Sequence, residues 1–80
     1  MKLQLLAFGI ARDITGQRFL ELELPEGTTV ARLREWLTEK HPRFNSLASL
    51  RFAVNNEYAE EERTLQDGDE VAIIPPVSGG

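Results

Sequence analysis

The apolar positions fall into five short runs and one helical stripe. Lys2 to Phe8 and Arg18 to Leu24 are apolar-rich, and the Thr15-Gly16 pair within residues 11–17 is a turn signal, so the pattern predicts two antiparallel strands joined as a hairpin. Within the second run Leu20, Leu22 and Leu24 alternate with Glu21 and Glu23, the period of a strand with one buried and one wet face. Pro25-Glu26-Gly27 stops it. Val30, Leu33, Leu37 and His41 then fall within about 80° of one another at helical spacing, opposite Arg32, Glu35 and Glu39, which predicts an amphipathic helix. Thr29 is its expected N-cap and Pro42 its stop. Residues 42–49 read as a short helical turn. Leu50 to Val54 alternates again, Asn55-Asn56 tolerates the positive φ of a tight turn, and Glu57-Tyr58-Ala59 returns as a short strand. Glu60 to Arg63 reads as a solvated connection. Leu65 to Asp69 supplies a further turn, before a last strand, Glu70 to Ile74, that ends at Pro75-Pro76.

The resulting ββαβββ order predicts an α+β domain over residues 1–76, a mixed sheet with one main helix packed on one face, followed by a flexible tail over residues 77–80. This order resembles a ubiquitin-like β-grasp. Alternation turns Leu3, Leu5, Ala7, Leu20, Leu22, Leu24, Phe52, Val54, Val71 and Ile73 towards the helix and sends Leu6, Phe8, Ala53, Ala72 and Ile74 to the opposite face. That second face is expected to be wet, yet it is apolar. Leu6, Phe8 and Ile74, with Pro75 and Pro76 at the root of the tail, are therefore the candidate docking surface for a protein partner. The competing expectation is that residues 9–15 or 42–49 fold back over them.

Eighty residues suffice for one small domain, and nearly every apolar side chain is needed for its core, so a deep pocket and an autonomous active site are not expected. The chain has no cysteine and a single histidine, His41, which argues against disulfide, thiolate and multi-histidine metal chemistry. His41 is expected to pack or to cap the helix end rather than to catalyse, and Trp36 to line the rim of the core. A net charge of −4, without a block of basic residues, argues against nucleic acid and anionic membranes as main partners. The N-terminal apolar stretch ends too soon for a signal peptide or a span, which gives the cytosol as the expected compartment.

Asp67-Gly68-Asp69 lacks the remaining ligands of a calcium loop and reads as a turn, and Glu60-Glu61-Glu62 as a solvated run. Arg12 and Asp13 are surface charges of the first connection. The strongest chemical signal is the terminus, Pro75-Pro76-Val77-Ser78-Gly79-Gly80. Two prolines stiffen the exit, Val77 offers an anchor, and Ser78 and Gly79 present little bulk, so a narrow channel can admit the chain and reagents can reach the Gly80 carboxylate. A carboxylate reacts only once activated, as in a mixed anhydride with a nucleotide phosphate, and this chain holds no group for that step. On composition alone an inert, frayed terminus is as good a reading.

Three blocks carry a family resemblance: residues 6–16, reading Leu-Ala-Phe-Gly-Ile-Ala-Arg-Asp-Ile-Thr-Gly; residues 53–58, reading Ala-Val-Asn-Asn-Glu-Tyr; and residues 65–80, running from Leu65 through Asp67-Gly68-Asp69-Glu70-Val71 and the double proline to Gly79-Gly80. Together they resemble the small subunit of molybdopterin synthase over the whole chain. The resemblance implies a sulfur carrier. Gly80 would be adenylated by an ATP-using enzyme of the ubiquitin-E1 type, converted to a thiocarboxylate and inserted into the large synthase subunit, where its sulfur would pass to a cyclic pyranopterin precursor of the molybdenum cofactor. It further implies a heterotetramer with two large subunits, catalytic side chains on the large subunit, and no cofactor resident on this chain. The alternatives are a sulfur carrier for thiamine thiazole synthesis, a ubiquitin-like protein modifier, and an interaction module with an inert tail.

Overall fold

The computed structural model describes residues 1–46 and 50–75. Strand β1 spans Lys2–Ala7, helix α1 Ile10–Thr15, β2 Phe19–Glu23, α2 Val30–Lys40, a 3-10 helix Pro42–Ser46, β3 Arg51–Val54, β4 Glu57–Tyr58 and β5 Glu70–Ile74. The five strands form one mixed sheet in the order β2-β1-β5-β3-β4. The central pair, β1 and β5, is parallel, and every other pair is antiparallel. This is a ubiquitin-like β-grasp.

Alternation builds the core as expected. Leu3, Leu5, Ala7, Leu22, Leu24, Phe52, Val54, Val71 and Ile73 are buried on the inner side of the sheet, and α2 closes over them with Val30, Leu33 and Leu37. Leu20 is only half-buried and packs at the edge of this cluster. Trp36 likewise lies at its rim. The core also takes in Ala11, Phe44, Leu50 and Leu65, residues of connections rather than of strands. A chain this short cannot leave connecting side chains unused.

Two connections differ from the sequence expectation. The residues between β1 and β2 form a helix rather than a hairpin turn. Gly9 opens it at φ 55° and ψ −128°, Ala11 anchors it in the core, and Gly16 closes it in the left-handed conformation, its N–H donating to the Arg12 carbonyl at 2.7 Å. Thr15-Gly16 is thus the end of a helix, a geometry for which glycine is the preferred residue. Arg12 and Asp13 are exposed on α1.

Residues 60–63 are the second case. Their side chains are mostly wet, but their backbone caps α2: the amides of Val30 and Ala31 donate to the carbonyls of Arg63 and Glu61 at 2.9 and 3.0 Å, and the Arg32 amide donates to Thr29 Oγ1 at 3.3 Å. Three otherwise orphaned first-turn donors are satisfied in this way. Arg34 also forms an ion pair with Glu61. At the other end of α2 the chain turns extended at His41, and the imidazole meets the Phe44 ring edge-on at 6.1 Å. The 3-10 helix supplies the helical turn expected after Pro42, while positions 47–49 lie outside the described residues.

Asp67-Gly68-Asp69 is a clasp. The Asp67 carboxylate accepts from the Lys2 amide at 2.7 Å, and the Gly68 amide donates to the Lys2 carbonyl at 2.7 Å. Asp69 accepts from the Gln66 amide at 2.8 Å and from Asn55 Nδ2 at 3.0 Å, tying the entry of β5 to the β3-β4 turn. No group of three metal-ligating side chains occurs among the described residues. Asp69→Ala removes both acceptors from a half-exposed site and is expected to lower unfolding free energy by about 1–3 kcal/mol. Urea denaturation checks this, with Thr29→Ala as a reference at about 1 kcal/mol for loss of one cap.

Candidate functional site: the open face of the sheet

Among the described residues, no helix or strand lies over the sheet face away from α2. Register brings one side chain from each strand into a single row across it, Phe19–Leu6–Ala72–Ala53–Tyr58 in the order β2-β1-β5-β3-β4. At about 4.8 Å between neighbouring strands the row is roughly 19 Å long. Its two ends are aromatic and exposed, Phe19 at 60% and Tyr58 at 66%, and its centre is two alanines. Ala53 is nearly buried although it belongs to this face, because its neighbours on both sides cover a methyl group.

The next position along the strands brings Ile74 and Arg51 together as partners, with Phe8 continuing the alternation of β1 beyond Ala7. Phe8 is 47% exposed, and Leu6, Ile74 and Pro75 are half-buried. Of the segments expected as a possible cover, α1 packs inward through Ala11 and Phe44 carries the 3-10 helix to the core, while positions 47–49 lie outside the described residues. Gly9 is what lets the chain leave β1 in this direction. Its φ and ψ suit glycine and strain an L side chain, even though the space around it is open.

Leu6, Phe8, Ile74 and Pro75 therefore lie together at the end of the sheet where β5 terminates. Pro76, Val77, Ser78, Gly79 and Gly80 lie outside the described residues. The adjoining apolar neighbours that the sequence reading passed over are Phe19, Tyr58 and Ile10, the last 38% exposed at the start of α1. The first two were detectable. Phe19 falls in the wet series with Glu21 and Glu23, where an aromatic is out of place. A two-residue turn at Asn55-Asn56 fixes Tyr58 opposite Ala53.

The face is charged unevenly. One step below the apolar row stand Gln4, Glu21 and Glu70, around a shallow hollow of about 490 Å³ that also involves Lys2 and Asn55. One step above it stands Arg51, its guanidinium 5.5 Å from the centre of the Tyr58 ring, a cation–π distance. The tail root lies at the Arg51 end. Among the described residues, no side chain of this face is paired with another in an acid–base or nucleophile–base arrangement, and what the face offers is exposed apolar and aromatic area.

Gly9→Ala is expected to cost about 1–3 kcal/mol of stability, since no side chain clash but a strained backbone opposes it. Chemical denaturation checks the magnitude, and a cost below that of Gly16→Ala at the helix end contradicts the assignment.

Comparison with known proteins agrees with this geometry. The ThiS family pattern matches residues 5–80. The molybdopterin synthase sulfur carrier subunit of Arabidopsis thaliana is 37% identical over 81 residues, covering all of this chain and 84% of its own length. Among solved structures, SAMP1 from Haloferax volcanii superposes with a TM-score of 0.83 at 25% identity, each chain fully covered. A chain from the complex of subunits 1 and 2 of the molybdopterin-converting factor from Helicobacter pylori superposes with a TM-score of 0.69 at 26% identity, again with full coverage of both. By pattern, full-length identity and fold, the chain belongs to the ThiS family.

Proposed function

We propose that this protein is the sulfur carrier subunit of molybdopterin synthase, and that the Gly80 carboxylate is adenylated with ATP by an E1-like activating enzyme, thiocarboxylated, and used to donate sulfur to a cyclic pyranopterin precursor. The observation that carries the reading is the placement of an uncovered apolar face at the root of a tail that ends in Gly-Gly. A carrier needs these two things and no catalytic side chain. The first holds it to a partner, and the second reaches into the partner's site.

In this reading Leu6, Phe8, Ile74 and Pro75, continued by Phe19 and Tyr58, dock on the large subunit, and the tail from Pro76 enters it, with Val77 as an anchor and Ser78 and Gly79 giving access. The large subunit supplies the catalytic side chains and stands at the centre of a heterotetramer, and the cytoplasm is the compartment the reading implies. Relatives named molybdopterin synthase sulfur carrier subunit, and a fold neighbour solved as a complex of subunits 1 and 2, support it. Thiazole synthesis in thiamine formation is the nearest rival within the same chemistry, and the family to which the chain belongs leaves room for it. Protein modification is favoured by one observation, the fold likeness to SAMP1, and predicts higher-mass conjugates in cell extracts that vanish on deletion of Gly80.

The deciding measurement is the intact mass of the chain after incubation with ATP, an activating enzyme and a sulfur source. Replacement of one oxygen by sulfur, confined by fragmentation to Gly80, is the expected outcome, and an unchanged mass with demonstrably active enzyme overturns the reading. One residue added after Gly80 is expected to abolish sulfur transfer. Phe8→Asp and Ile74→Asp place a charge in a desolvated contact and are each expected to weaken large-subunit binding at least about 30-fold, a loss of roughly 2 kcal/mol, while leaving the domain folded. Titration calorimetry beside circular dichroism separates the two effects.

A further inference from the structure

The sheet ends in two edges of unequal kind. One is β4, two residues long. The other is β2, which runs for five residues in continuous register with β1 and contains no proline. The Leu24 amide donates to the Met1 carbonyl at 3.0 Å and the Ala7 amide to the Arg18 carbonyl at 2.9 Å, so the even-numbered positions of β2 spend their backbone groups on β1. In an antiparallel ladder the intervening residues turn theirs the other way. The N–H and C=O groups of Phe19, Glu21 and Glu23 therefore face outward along about 17 Å of edge, and no described residue bonds to them. Such a row of unpaired groups is a template for one more strand.

The side chains along this edge restrict which strand that can be. Phe19, Glu21 and Glu23 border it on the open-face side, and the half-buried Leu20 on the side of α2. Past its end, Leu24 and Pro25 lead into a hollow of about 380 Å³ against α2, with Trp36 in its wall and Glu26, Glu35 and Glu39 around it. Within β2 the only charges are carboxylates, and neither Glu21 nor Glu23 forms an ion pair among the described residues. The neighbouring cations lie one strand inward or are engaged: Lys2 is on β1, the Met1 ammonium donates to the Leu24 carbonyl at 2.8 Å, and Arg32 is 3.5 Å from Glu35. A second copy of β2 fits this edge badly. Two-fold antiparallel pairing centred on Glu21 sets that carboxylate against its own twin, and like charges directly opposite each other are destabilising. A strand with Lys or Arg at every second position instead meets Glu21 and Glu23 as opposite charges, while its intervening apolar residues turn towards Leu20 and Leu24.

We infer that the free edge of β2 is a docking site for an extended segment of a partner protein with basic residues at alternate positions, which adds to the sheet as a sixth strand. Backbone bonds hold the segment, and Glu21 and Glu23 select its charge. The site meets the open face only at Phe19 and stands whether or not the chain is a sulfur carrier.

The probe is a short blocked peptide in which lysine alternates with valine, titrated to about 1 mM in about 0.15 M salt against the full chain labelled with nitrogen-15. Saturable shifts are expected, largest at the amides of Phe19, Glu21 and Glu23, with those three protected from hydrogen exchange. Methylating the backbone nitrogens of every lysine, or of every valine, separates strand addition from charge attraction. Only one edge of the added strand faces β2, so one methylated set is expected to bind at least tenfold more weakly than the other, and which one does so reports the strand direction. Glu21→Lys combined with Glu23→Lys is expected to weaken binding at least tenfold and to take up instead the peptide in which glutamate replaces lysine. Glu60→Lys combined with Glu62→Lys, the same change of net charge at exposed positions of the connection before β5, is expected to alter affinity less than threefold. Circular dichroism checks that both variants fold, and the methylation arm needs no variant. Equal loss in the two methylated sets, shifts spread over the acidic surface without preference for β2, or no binding at the highest concentration overturns the inference. Broadening at the same amides as the chain alone is concentrated assigns the edge to a second copy and overturns it as well.

Discussion

The parallel pairing of β1 with β5 is the constraint on which the rest of the molecule depends. It joins Gln4 to Glu70 and Ala7 to Ile73, residues from opposite ends of the chain, and so requires nearly the whole polypeptide to close as one loop. Parallel ladders are also slightly weaker per residue than antiparallel ones. The clasp at residues 67–69 offsets this by giving the start of β1 further partners, through the Lys2 amide and carbonyl, and the Gln4 amide adds a bond to the Asp69 carbonyl at 3.0 Å. Once β1 and β5 are side by side, β2 can pair only outside β1, and β3 takes the free edge of β5. The tail root then emerges beside Phe8. Carrier geometry is a consequence of this one pairing.

The same pairing explains how one sheet supports two different faces. Inward, the alternating positions of β1, β3 and β5 are fully buried and, Ala7 apart, large, and α2 fits them with a stripe of three. Outward, the centre of the apolar row is Ala72 and Ala53, while the aromatics sit on the edge strands. Small residues thus stand at the middle of the row and large, exposed ones at its ends. Glu21 and Glu23 on β2, and the two-residue length of β4, discourage the edge pairing that a bare apolar sheet invites.

Much of this was legible in the residues. Period-two alternation identified both faces, and the stripe Val30, Leu33, Leu37 identified the helix, because both patterns are local and follow directly from where side chains point. The Thr29 cap and the Asn55-Asn56 turn were equally readable, each being a chemical requirement of one or two residues. What escaped was whatever depends on partners remote in sequence. Residues 10–15 are too few for a helical period to stand out, and their helix forms because Ala11 finds the core and Gly9 and Gly16 accept positive φ. The capping of α2 by residues 61 and 63 is backbone to backbone and leaves no trace in side-chain type. Of the open face, the positions on β1 and β5 were read from alternation, and Phe19 and Tyr58, though detectable from the wet series and the Asn55-Asn56 turn, join them in one row only once the strand order is known.

A further division runs through the molecule, between shape and reactivity. The domain contributes an open apolar face and charge, and its described residues hold no group of three metal-ligating side chains. On the proposed reading the reactive atom is the Gly80 carboxyl carbon, on a residue without a side chain, so anything that activates it or receives from it must come to it. A carrier of this kind gains from each group it lacks, since a stray amine, thiol or metal site near the tail would open a competing reaction for the activated carboxyl. On that argument the composition is part of the mechanism. On the proposed reading, a chain with no cysteine and only two lysines offers the Gly80 carbonyl few nucleophiles of its own.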